Sequence, residues 1–246
     1  MPEIIVADDL NGLNRTAADR FTRLAAESIA SRGRFTVALA GGSTPKALYR
    51  LLASEQYKDK IEWSRVFFFF GDERYVPVAD EESNYRMARE NLLDPIEIPA
   101  ENVFRWQTET GSPEEVAAKY EEWIKDFFGG DIVPHFDLIL LGLGTDGHTA
   151  SLFPESRALD ETTRLAVANP VEQLGVFRLT FTFLLINNAA NVIFLVAGKE
   201  KATIIPEILG EHPDSGKYPA RVVKPIDGNL TWLLDKSASA ELTTRN

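Results

Sequence analysis

The sequence predicts an α/β fold with a mostly parallel sheet. Short β-branched or aromatic runs alternate with helical stretches along the 246 residues. Several runs (TVALA, VFFFF, LILLGL and VIFLVA) are continuously apolar, the pattern of strands covered on both faces. The stretches between them are amphipathic, as helices packed on such a sheet must be.

The elements follow in order. A strand is expected at Glu3–Ala7, then a helix from Asn14 to Arg32 with Ala17, Phe21, Leu24, Ala25 and Ile29 on one face. A strand at Phe35–Ala40 leads into Gly41-Gly42 and the helical stretch STPKALYRLL, which turns Leu48, Leu51 and Leu52 inward. A strand at Val66–Phe70 follows, and Ser83 is placed to cap a helix. Ser112-Pro113-Glu114-Glu115 reads as a capping box with proline at the first helical position. That helix carries Val116, Tyr120, Trp123, Ile124 and Phe127 and stops at Gly129-Gly130. Further strands are expected at Asp137–Leu141, Arg164–Ala168, Val192–Ala197 and Leu230–Leu234. The turn-rich stretches Asp94–Gly111 and Gly210–Pro219 are too short to be clear linkers, so one domain over 1–246 is expected.

Composition excludes several functions. There is no cysteine, which removes disulfide scaffolds, thiolate metal sites and cysteine nucleophiles. With only His135, His148 and His212 available, no metal site is expected. A formal net charge of −11 argues against a nucleic-acid or anionic-membrane surface. The N-terminus lacks a signal-peptide pattern and no apolar run reaches bilayer length, so a cytoplasmic location is expected.

In open α/β sheets ligands bind beyond the carboxyl ends of the strands, so the residues after each apolar strand matter most. After TVALA, Gly41 and Gly42 allow a tight turn, Ser43 or Thr44 can cap the next helix, and Pro45 sets its first turn. Free N–H groups there fit an anion, phosphate above all; an ordinary strand-to-helix turn fits as well. It is neither a Walker loop nor a nucleophile elbow. After VFFFF come Asp72, Glu73 and Arg74, expected to lie outside the core: a solvated loop, or a carboxylate and a guanidinium at the ligand edge. Arg86 is read as facing solvent. After LILLG, the stretch Leu143–Pro154 is rich in glycine and holds Asp146 and His148 two residues apart. A carboxylate that orients an imidazole makes a general base, which sets His148 apart from His135 and His212. Arg178 precedes an apolar stretch, and Lys199 and Lys201 follow VIFLVA; Lys199 is read as surface charge.

Together these motifs resemble the 6-phosphogluconolactonases, which share a superfamily with glucosamine-6-phosphate deaminases. The resemblance runs nearly end to end through LAGGSTPKALY, FFGDERYVP with SNYRMA, LILLGLGTDGHTASLFP, RLTFTFLLINNA, FLVAGKEKA and GNLTWLLD. The run Thr149–Pro154 after Asp-Gly-His is similar to lactonases rather than deaminases. The resemblance implies a modified Rossmann-like three-layer fold without a nucleotide. It implies cofactor-free, metal-independent hydrolysis of 6-phospho-D-glucono-1,5-lactone in the oxidative pentose phosphate pathway. It implies His148 as general base, Asp146 and Asp72 as groups that shape and polarise the site, and Arg74 on an anionic or oxyanionic group. It implies the Gly41-Gly42-Ser43-Thr44 turn, Asn84, Arg178 and Lys201 as substrate or phosphate ligands. The alternatives are a deaminase using Asp72 as a carbon-acid base and a non-catalytic sugar-phosphate sensor. No oligomeric state is fixed, with a monomer slightly favoured.

Overall fold

The computed structural model describes residues 2–130, 133–172, 175–210 and 217–242. Six strands form one parallel sheet: β1 (Glu3–Ala7), β2 (Phe35–Leu39), β3 (Val66–Phe70), β5 (Leu138–Leu141), β8 (Asn191–Val196) and β9 (Asn229–Asp235). Their spatial order is β1-β9-β8-β5-β2-β3, with every neighbouring pair parallel. β2 and β5 are buried at every residue, which accounts for their unbroken apolar sequence.

A second, three-stranded antiparallel sheet joins β4 (Asp72–Arg74), β7 (Val176–Phe181) and β6 (Ala166–Val171). The sequence did not suggest β4 or β7, and it placed β6 at Arg164–Ala168. Asp-Glu-Arg is a poor strand former, and Arg178 interrupts the apolar pattern of VFRLTF. Cross-strand pairing creates these strands, as Asp72, Glu73 and Arg74 lie opposite Thr180, Leu179 and Arg178.

Helices flank the parallel sheet. α1 (Leu10–Arg32) packs on β1, β2 and β9. It starts four residues before the expected Asn14 because Asp9 caps it, accepting from Gly12 N at 2.7 Å. α2 (Ser43–Leu52) packs on α1, while α3 (Asn84–Ala88) is capped by the Ser83 side chain as expected. α4 (Pro113–Phe128) has the full Ser112–Glu115 capping box and ends at Gly129 in the left-handed conformation. Two short helices, α5 (Phe183–Ile186) and α6 (Ile204–Leu209), complete the set among the described residues. Among the described residues no helix is long and apolar enough to cross a membrane.

One expected cap differs. The N-cap of α2 is Gly42, not Ser43 or Thr44, and no side chain caps it. The chain leaves β2 through a φ of 101° at Gly42, a conformation glycine takes without strain. The N–H groups of Ser43 and Thr44 therefore open the helix without intrahelical acceptors.

The core beside β3 is aromatic. Phe69 stacks on Phe104 at 4.6 Å and meets Phe127 and Phe136 edge-on. Tyr120 crosses this layer, its hydroxyl accepting from Phe70 N at 2.9 Å and donating to Phe104 O at 2.9 Å. Tyr120→Phe leaves the Phe70 amide buried without its acceptor. It is expected to destabilise by about 1–3 kcal/mol, read as a lower urea midpoint at an unchanged m-value.

Candidate active site

The strand order fixes where a ligand fits. From β2 the chain proceeds to β3 on one side, whereas from β5 it proceeds to β8 and β9 on the other. The switch point lies between β2 and β5, and the loops after these strands part there. A cleft of about 390 Å³ opens at this place. It is lined by Gly41, Gly42, Ser43, Thr44, Asp72, Arg74, Asn84, His148, Arg178 and Lys201, ten of the eleven expected site residues. The eleventh, Asp146, stands behind His148 and lines a separate depression with Lys217 and Tyr218.

Asp146 Oδ1 is 2.6 Å from His148 Nδ1 and also accepts from the His148 backbone N–H at 3.1 Å. Burial acts to raise the Asp146 carboxyl, but the hydrogen bonds and charge of His148 outweigh it and hold it below the usual range. An ionised carboxylate at Nδ1 puts the ring proton on that nitrogen and leaves the Nε2 lone pair free. The imidazole lies over Phe153, ring centroids 4.3 Å apart.

The turn that presents this pair is tightly enclosed. Any Cβ at Gly144 would overlap His148 Nδ1 and Asp146 Oδ1. Gly147 has a φ of 81°, and a Cβ there would sit 2.6 Å from the Tyr218 ring. Gly147 O also accepts from Ala220 N at 3.0 Å, so residues 218–220 clamp the turn from behind. Ala150, further along the cleft wall, is held at a φ of 48°.

Cations gather across the cleft. Arg74 and Arg178 lie directly opposite each other on β4 and β7. Arg74 donates to Glu82 O at 2.5 Å. The side chains of Arg178 and Lys201 have no hydrogen-bond or ion-pair partner among the described residues. Burial lowers the Arg178 pKa, the facing Arg74 lowers it further, and Asp72 partly offsets both. Opposed like charges are unfavourable, and an anion between them relieves the repulsion. With the open N–H groups of α2, this edge of the sheet is built for negative charge.

Asp72 is held rather than free. Ser151 Oγ donates to its Oδ2 at 2.8 Å, and Asn84 Nδ2 donates to its Oδ1 at 3.2 Å. Gly41 lies against Asn84, leaving no room there for a Cβ. The expectation that the charged trio stays out of the core fails for Asp72, which is buried at the cleft wall, and most fully for Glu73, which is 2% exposed. Burial pushes Glu73 up to about 7, against the pull of the backbone N–H groups of Tyr85, Asn84 and Arg74. Sequence reasoning also missed Ser151, Phe153 and Glu200, which line the cleft. Only their closeness to His148 or Lys201 hinted at them. Lys199 is exposed and outside the cleft lining, and His135 is exposed. Arg86 pairs with Glu90 at 2.8 Å on the surface. His212 lies outside the described residues.

Fold and cleft thus define an α/β protein with a histidine–aspartate pair and a group of cations around one cleft at a topological switch point. The chain belongs to the family of glucosamine-6-phosphate isomerases and 6-phosphogluconolactonases, whose model matches residues 8–232. It is 46% identical over 218 residues to the 6-phosphogluconolactonase of Synechocystis sp., covering 88% of each chain. It is 39% identical to that of Haemophilus influenzae, over 82% of this chain and 85% of the relative. Among solved structures it is similar to the 6-phosphogluconolactonase from Trypanosoma cruzi, with a TM-score of 0.87 and 34% identity over 99% and 97% of the two chains.

Gly144→Ala is expected to fold but to separate His148 from Asp146. The downfield Nδ1 proton resonance of the wild-type pair should then be lost from the NMR spectrum, while far-UV circular dichroism stays the same.

Proposed function

We propose that this chain hydrolyses 6-phospho-D-glucono-1,5-lactone to 6-phosphogluconate, with His148 as the base. The observation that carries the mechanism is the His148–Asp146 pair facing cations that lack protein partners. A lactone is an activated ester, so no covalent nucleophile is needed. Nε2 of His148 takes a proton from water as the oxygen attacks C1. Asp146 stabilises the imidazolium that results. Charge moves to the carbonyl oxygen, where the Arg74 guanidinium stabilises it. When the tetrahedral intermediate collapses, the C1–O5 bond breaks and the imidazolium returns the proton to O5. The new carboxylic acid then ionises to the gluconate.

The N–H groups of Ser43 and Thr44, with Arg178 and Lys201, hold the phosphate, and Asn84 and the Gly41-Gly42 turn shape the space beside it. This anchor spends binding energy on orienting C1 toward the base. Asp72 orders the site: both of its carboxylate oxygens are engaged by side-chain donors, so neither is free to act as the carbon-acid base a deaminase would require. The enzyme works in the compartment where its charged substrate is made, and the cytoplasm is the reading the sequence supports.

The test is hydrolysis of freshly made lactone with the spontaneous rate subtracted. Wild type should accelerate it, and His148→Ala should lower kcat by roughly 10²–10⁴-fold with 6-phosphogluconate binding nearly unchanged. A variant with wild-type turnover would remove His148 as the base. Ammonia release from glucosamine 6-phosphate, in place of lactone hydrolysis, would overturn the function itself. Arg178→Ala is expected to raise KM by at least about tenfold, the loss of one charge-assisted phosphate contact.

A further inference from the structure

A strand presents alternate side chains to opposite faces. On β4, Asp72 and Arg74 line the cleft, while Glu73 turns the other way and is buried. Its surroundings are specific. One carboxylate oxygen accepts from Asn84 N at 2.7 Å and Arg74 N at 2.8 Å. The other accepts from Tyr85 N at 2.8 Å and Ser83 Oγ at 3.1 Å. Three of these donors are the cap and first two residues of α3, so Glu73 fastens the start of that helix to β4. Asn84 closes the arrangement from the cleft side, its Nδ2 donating to Asp72 O at 3.0 Å and to the Asp72 carboxylate. Glu73 thus ties the backbones of Asn84 and Arg74 together from outside the cleft.

We propose that Glu73 is a positioning residue for substrate binding, its ionised carboxylate holding Asn84 and Arg74 where they meet the bound sugar phosphate. The inference rests on the reading of the cleft given above. A carboxylate can accept all four hydrogen bonds. A carboxylic acid carries a proton on one oxygen, which then points a donor at donors, and at least one contact is released. The charged groups facing Glu73 are Asp72, which favours the protonated form, and the cations Arg105 and Arg178, which favour the anion; the Tyr120 hydroxyl lies close by. Burial places this titration close to neutrality, so the hold on Asn84 and Arg74 weakens as the pH falls from 8 to 6.

The experiment compares Glu73→Gln with wild type at pH 6, 7 and 8. It measures 6-phosphogluconate binding by titration calorimetry and KM for the lactone. Taking the ratio of the two proteins cancels pH effects common to both, titration of the substrate phosphate among them. At pH 8 the variant should bind roughly tenfold more weakly, the size of one lost charge-assisted hydrogen bond, and the gap should close toward pH 6. Ser83→Ala removes one of the four donors and should show the same pH trend at smaller size, which covers the case of a Gln variant that does not fold. A gap that is absent or constant with pH overturns the proposal. So does tighter binding by the variant, which would mean that Glu73 acts only as a repelling charge. A wild type that binds 6-phosphogluconate with this pattern but does not hydrolyse the lactone would overturn the proposed function and keep the positioning role. A wild type that does not bind it overturns both.

Discussion

The chain passes from its parallel sheet into its antiparallel one through a single residue, Gly71. Its N–H donates to Leu39 O at 3.0 Å, still within the parallel sheet, and its carbonyl accepts from Phe181 N at 2.8 Å, already in the other. Everything across the cleft hangs from this junction. Asp72 follows at once, and Arg74 two residues later on the same face. β7 pairs with β4 and brings Arg178; it also holds the His148 loop, through Thr180 Oγ1 and the Ser151 amide at 3.2 Å. Asn169 on β6 adds a hydrogen bond to Ser151 O at 2.9 Å. The second sheet acts as a bracket that sets the cationic wall at a fixed distance from the loops of the first.

That wall is an electrostatic liability. The molecule carries a formal charge of −11, yet it leaves Arg178 and Lys201 unpaired and sets Arg178 against Arg74. Carboxylates were available to neutralise them and are used elsewhere: Glu90 on Arg86, Glu109 on Arg105, Glu27 on Arg23. A folded protein that keeps cations unpaired at one edge gives up stability there. Net charge therefore says little about the sign of the field inside a cleft.

Much of this was legible in the sequence. Unbroken apolar runs revealed the parallel strands, because burial on both faces removes any reason for polar alternation. The loops after β2 and β5 could be named as the ligand edge, and the structure brings ten of the eleven expected residues to one cleft. The failures have a common physical cause. Glu73 looked like a surface residue because its donors, Ser83, Asn84 and Tyr85, come from ten to twelve residues away. β4 and β7 have little strand character of their own and exist through each other. Gly42 took the capping position from Ser43 because the exit from β2 requires a left-handed turn, which no helix-propensity argument detects. Local pattern finds elements that are stable for local reasons, and these three are set by backbone geometry and pairing that residue propensities do not encode.

The clamp on Gly147 has a temporal consequence. Tyr218 and Ala220 enclose the turn that carries Asp146 and His148, yet they are made some 70 residues after it. A growing chain can complete β5 and its loop long before the segment that seats them has left the ribosome. The enclosure of the turn that carries the imidazole–carboxylate pair therefore waits for a segment made well after the pair itself.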